Sequence, residues 1–124
     1  MSVLAALMFL QAAPQAAEPA PDSDIVVLGQ KLRNWKGTWR SRKGVVSCRT
    51  TKSSGDPEVD AVSCEGLIAC LSPDAARIEV LMHGKGKRAE RQSALNELLA
   101  GKRACLDDRH KRGIAALADR RAAQ

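Results

Sequence analysis

Apolar positions recur along this chain with two different periods, and each period marks a different part of the fold. An unbroken apolar run, Val3–Leu10, comes first, and a short β-branched run follows at Ile25-Val26-Val27-Leu28. Closed by Gly29, the second run reads as a strand. Around Trp39 the period is two. Thr38–Arg42 and Val45–Thr50 predict a hairpin turning at Lys43-Gly44. Alternation puts Trp39 and Ser41 on one side, with Val46 and Cys48 on the matching face of the partner strand.

Beyond Gly55 the period becomes helical. Asp56 is a good N-cap, Pro57 suits the first helical position, and Glu58 and Asp60 complement the helix dipole. That helix is expected to reach about Leu71. Val59, Val62, Gly66, Leu67 and Cys70 fall on one stripe, with Cys64, Ile68 and Leu71 on an adjoining one. Ser72-Pro73-Asp74 repeats the start signal for a helix ending near Gly84, its core face Ala75, Ile78, Leu81 and Met82. Arg77-Ile78-Glu79-Val80 also alternates, which leaves a strand open there. After the breaker Gly84-Lys85-Gly86-Lys87, a helix from about Arg88 to Ala100 would bury Leu95, Leu98 and Leu99 and close at Gly101. A last helix, about Ala104 to Arg121, carries Leu106, His110, Gly113, Ile114 and Leu117 in one arc. The expected fold class is α+β, mainly helical: a short N-terminal β-hairpin or small sheet followed by about four packed helices.

With 124 residues the chain holds one domain, assigned to residues 25–124. Met1–Ala17 has no charge, and its apolar core has signal-peptide length and is too short to span a bilayer, although no Lys or Arg opens it. Glu18–Asp24, with two prolines and three acids, reads as an extended acidic linker. Removing the leader takes Phe9 and leaves Trp35 and Trp39 as the aromatic side chains. That scarcity argues against folds that stack bases on aromatic platforms. Periplasmic or secreted localisation is the expectation.

A small exported domain commonly needs a covalent staple, and four cysteines provide one. Cys48, Cys64, Cys70 and Cys105 lack zinc-finger spacing and allow three disulfide connectivities. In a helix, Cys64 and Cys70 lie about 9 Å apart along the axis and about 120° apart around it, so a bond between them fails the geometric limits. A chain reversal can bring Cys48 level with Cys64, which leaves Cys70 for Cys105. The competing reading is four reduced, buried thiols.

The charge map is uneven within a net +6. Residues 31–52 hold eight cations and no acid, whereas residues 53–84 hold six acids and one base. One reading makes Lys31, Arg33, Trp35, Lys36, Arg40, Arg42 and Lys43 a surface for an anionic envelope lipid, an acidic glycan or a protein partner. The other pairs the basic stretch with Asp56, Glu58, Asp60 and Glu65. Nucleic acid ranks low as a partner for an exported chain. Trp39 is expected against the core and Trp35 exposed. His83 reads as a helix C-cap and His110 as an interfacial residue; a catalytic Cys105–His110 pair would need a free thiolate. No phosphate loop, dinucleotide fingerprint, zinc motif or Ser-His-Asp pattern is present, so no cofactor, no metal and no enzymatic activity are expected.

Two resemblances bear on location. Asp24-Ile25-Val26-Val27-Leu28-Gly29 is similar to the energy-coupling (TonB) box of TonB-dependent outer-membrane receptors, in which an acidic-Ile-Val-Val-Thr-Gly pattern is common. It departs at Leu28, and what it implies is strand addition to a periplasmic partner. As a whole the chain resembles small exported four-cysteine proteins of alphaproteobacteria, which have no assigned activity. That resemblance rests on the leader, the Ile25–Gly29 opening, the Trp-containing basic stretch and the cysteine layout.

Overall fold

The computed structural model describes residues 21–124, so the expected signal peptide Met1–Ala17 and the linker residues Glu18–Ala20 lie outside it. The remainder of the expected linker and the expected strand Ile25–Leu28 are helical: α1 spans Pro21–Asn34. The reason lies in which residues find partners. Leu28 is buried, Leu32 packs against the same cluster, and Lys31 reaches Asp56. Positions 28, 31 and 32 share a face at the helical period, whereas a strand would turn 31 away from the other two. The β-branched Ile25, Val26 and Val27 are exposed, so their strand propensity decides nothing.

The hairpin follows as β1 (Lys36–Arg42) and β2 (Val45–Lys52), an antiparallel pair with Trp39 opposite Cys48 and Ser41 opposite Val46. Lys43 and Gly44 both have positive φ, 50° and 76°, as expected of a two-residue turn matched to the strand twist. A register shift at Lys36/Gly37 inserts an extra residue into β2 near the open end.

Next comes α2 (Pro57–Leu71), with Asp56 capping it as expected: its Oδ1 accepts from the Glu58 N–H at 3.1 Å. A 3₁₀ turn, Ser72–Asp74, leads into α3 (Ala75–His83), where the alternative of a strand gives way to a helix with Ala75 and Ile78 buried. α4 (Arg88–Gly101) and α5 (Arg103–Ala122) complete the chain. Four α-helices follow the hairpin, as expected; among the described residues α1, ahead of it, is the addition.

Two apolar clusters flank α2. Leu28, Val59, Val62, Ile114, Leu117 and Ala118 join α1, α2 and α5. Val46, Leu71, Ala75, Ile78 and Leu95 join the hairpin to α2, α3 and α4, with Trp39, Leu67, Leu98 and Leu99 packed on them. The antiparallel α2–α5 pair is fastened at both ends, by Cys70–Cys105 at one and by Asp56 and Arg121 at the other. Between these fasteners the helices approach closely. A Cβ on Gly113 would sit 2.5 Å from Val62 Cγ1, and one on Gly66 would sit 2.7 Å from His110 Cδ2.

The disulfides are Cys48–Cys64 and Cys70–Cys105, with Cα separations of 5.5 and 5.9 Å. The first ties β2 to α2 and the second α2 to α5, so α2 is bonded covalently to the hairpin on one side and to the last helix on the other.

Candidate functional site

Strand alternation sorts the hairpin side chains by chemistry. The inner face carries Gly37, Trp39, Ser41, Val46, Cys48 and Thr50, and the outer face Thr38, Arg40, Arg42, Val45, Ser47 and Arg49. Every residue of that outer set is exposed, because α2 and α3 pack on the other side. Ser41 anchors the inner face, its buried hydroxyl donating to the Ala75 carbonyl at 3.2 Å.

The two tryptophans belong to the fold side of this division. Trp39 is half-buried against the cluster around Val46 and Leu71, as expected. Trp35, expected to be exposed, is half-buried as well. Its indole N–H donates to Thr50 Oγ1 at 2.8 Å, and its ring occupies the space a side chain on Gly37 would need. It closes the open end of the hairpin's inner face.

The candidate cations divide in the same way. Lys31 is half-buried and paired with Asp56 at 3.2 Å. Arg33 is exposed in the last turn of α1, and Lys36 is exposed where β1 begins. Arg40, Arg42 and Lys43 are exposed at the middle and tip of the hairpin. Among the described residues, none of Arg33, Lys36, Arg40, Arg42, Lys43, Arg49 and Lys52 forms a salt bridge.

The acids at the start of α2 are occupied elsewhere, and Glu65 is exposed and in no ion pair of the described residues. Asp56 takes Arg121 and Lys31, and Glu58 takes Arg120 and Arg121. Arg121, foremost, holds the Asp56 carboxyl far below the usual carboxylate range, with Lys31 adding to the effect and burial opposing it. Asp60 is held low by hydrogen bonds from Ser53 and Ser54. Glu79 is the acid nearest the hairpin tip, where it accepts from the Gly44 N–H at 3.1 Å and borders a depression lined with Ser41, Arg42, Lys43 and His83.

On the outer face, Thr38 lies opposite Arg49 and Arg40 opposite Ser47. The four line a shallow depression of about 190 Å³. Guanidiniums occupy one diagonal and hydroxyls the other. Nearer the tip, Arg42 lies opposite Val45, which is 65% exposed. Thr38, Val45, Ser47 and Arg49 were not among the candidates from sequence. The available signal was alternation itself, since placing Trp39, Ser41, Val46 and Cys48 inward turns these four outward.

The histidines sit apart from this face. His110 Nε2–H donates to the Ser63 carbonyl at 3.1 Å and packs on Gly66, a helix–helix contact. His83 is exposed at the end of α3. Cys105 is disulfide-bonded, so in the oxidised protein it has no thiolate to pair with His110. Among the described residues no cluster of three or more His, Cys, Asp or Glu could hold a metal ion, and no helix is long and apolar enough to cross a membrane. The chain matches no family model, no curated protein and no solved structure.

Proposed function

We propose that this is a small exported, non-enzymatic protein, periplasmic or secreted, that binds an anionic component of the cell envelope through the outer face of its hairpin. One observation carries the reading. The exposed hairpin cations lie outside every ion pair of the described residues, while α2's Asp56 and Glu58 are matched to Lys31, Arg120 and Arg121. Of the basic stretch, Lys31 is paired with Asp56, while neutralisation of the hairpin cations by Asp56 and Glu58 loses its support. Unpaired guanidiniums on one face attract anions and offer planar donor forks to phosphate or carboxylate.

Two disulfides fit an oxidising compartment. The apolar leader and the likeness to small exported four-cysteine proteins agree with that location. With all four cysteines bonded, the reading without catalysis needs no further group.

The test is binding of the oxidised protein to phosphatidylglycerol vesicles and to phosphatidylcholine vesicles at rising salt. The reading requires binding to the first and not the second, weakening steeply as the screening length falls from about 10 Å at 0.1 M to about 3 Å at 1 M. A protein that ignores both vesicle types, and a soluble polyanion as well, would leave an accessory structural role in its place.

A further inference from the structure

The depression between Thr38, Arg40, Ser47 and Arg49 has a narrower chemistry than a diffuse basic surface. Its four side chains come from two directly paired rungs of the hairpin that are successive on this face. Cβ atoms on such rungs lie about 5 Å apart across the strands and about 7–8 Å apart on the diagonal. Arg40 and Arg49 thus stand on one diagonal and Thr38 and Ser47 on the other of an open depression of about 190 Å³. All four groups donate hydrogen bonds. A carboxylate offers two oxygens to such a ring, whereas a phosphomonoester offers three terminal oxygens and up to two negative charges.

A second feature bears on what carries the phosphate. Val45 is 65% exposed on the same face, one rung nearer the tip, and Arg42 is its cross-strand partner. Next to a soluble anion an exposed valine gains nothing. Against a lipid surface it reaches past the headgroups while the arginine stems lie along the interface. Glu79 borders the tip depression instead, so this one is lined by no acid.

We propose that the Thr38/Arg40/Ser47/Arg49 depression seats the phosphomonoester headgroup of a lipid, with Val45 dipping into the same lipid surface. This rests on the anion-binding reading and adds phosphate-monoester selectivity to it. The experiment compares vesicles containing phosphatidic acid with phosphatidylglycerol vesicles of matched surface charge, using the oxidised full chain. Expected is about tenfold tighter binding to phosphatidic acid, the size of one lost charge-assisted hydrogen bond. Thr38→Val with Ser47→Ala should erase that preference and keep phosphatidylglycerol binding. Arg40→Lys with Arg49→Lys, which keeps the charge and removes the forks, should erase the preference as well. Val45→Ser should weaken vesicle binding and leave the binding of inorganic phosphate unchanged.

Equal affinity for the two lipids overturns the inference while the anion-binding reading stands. A preference that survives both double variants also overturns it. Vesicle binding indifferent to Val45→Ser, alongside phosphate binding, removes the lipid as the source. A protein that binds neither vesicle type ends the lipid proposal, and one that ignores a soluble polyanion as well ends the anion-binding reading too.

Discussion

Arg121, in the final turn of α5, clasps Asp56 at the start of α2 with two nitrogens, Nη1 to Oδ2 at 2.9 Å and Nη2 to Oδ1 at 2.8 Å. Lys31 of α1 reaches the same carboxylate at 3.2 Å, while Oδ1 also caps α2. One buried side chain therefore joins three helices. Replacing Asp56 with Ala should cost about 1–2 kcal/mol from the lost cap alone, with the loss of the clasp in addition. Asp56→Asn keeps a capping oxygen, so it should fall between Asp56→Ala and the parent in melting temperature. Equal melting of all three would show that the carboxylate joins nothing.

The same clasp sets a pH dependence. The Asp56 pKa is depressed in the folded state, so its contribution is fully present above the unfolded value. It is lost as pH falls from about 5 through the ordinary Asp range toward the depressed folded value. Melting curves over that interval should show the parent losing stability as acid is added, and Asp56→Asn losing less. A variant with the parent's acid slope would assign that slope to other carboxylates.

How much of this was legible in the sequence depends on the range of each interaction. The hairpin turn at Lys43-Gly44, the Asp56-Pro57 helix start and the disulfide pairing follow from neighbouring residues and helix geometry, and the structure agrees with each. α1 was misread because Ile25–Val27 favours a strand locally, while the helix is selected by Leu28, Lys31 and Leu32 meeting α2 and α5. The Asp56–Arg121 clasp spans 65 positions, a partnership that no local pattern carries. On the candidate face, residue types were visible and the division was not. Counting cations grouped Lys31 and Trp35 with Arg40 and Arg42, although Asp56 takes Lys31 and Trp35 is half-buried on the inner face with its indole N–H on Thr50.

Loop length ranks the two disulfides. Cys48–Cys64 closes 16 positions and Cys70–Cys105 closes 35. On the chain-entropy account these contribute about 3 and about 4 kcal/mol. Reduction should lower the melting temperature sharply, and Cys70→Ala with Cys105→Ala should destabilise more than Cys48→Ala with Cys64→Ala. The reverse order would mean that tying β2 to α2 matters more than loop length.

Two helical glycines should respond oppositely to alanine. Gly29 of α1 has nothing within 4 Å of a Cβ, so Gly29→Ala should stabilise by about 0.5–1 kcal/mol. At Gly113 the gain in propensity is about 1 kcal/mol, against overpacking on buried Val62 of about 1–3 kcal/mol. Gly113→Ala should therefore lower the melting temperature and Gly29→Ala raise it. A stabilising Gly113→Ala would mean that α5 can move away from α2 without loss.

The central claim is that the hairpin's outer cations serve a partner and contribute little to the fold. Reversing Arg40, Arg42 and Lys43 to Glu in one variant tests it, with melting temperature and phosphatidylglycerol-vesicle binding measured on the same sample. Exposed charges outside ion pairs add little stability, so the account predicts a melting temperature close to the parent's and abolished vesicle binding. A variant that melts early, from a parent that never bound, would contradict it.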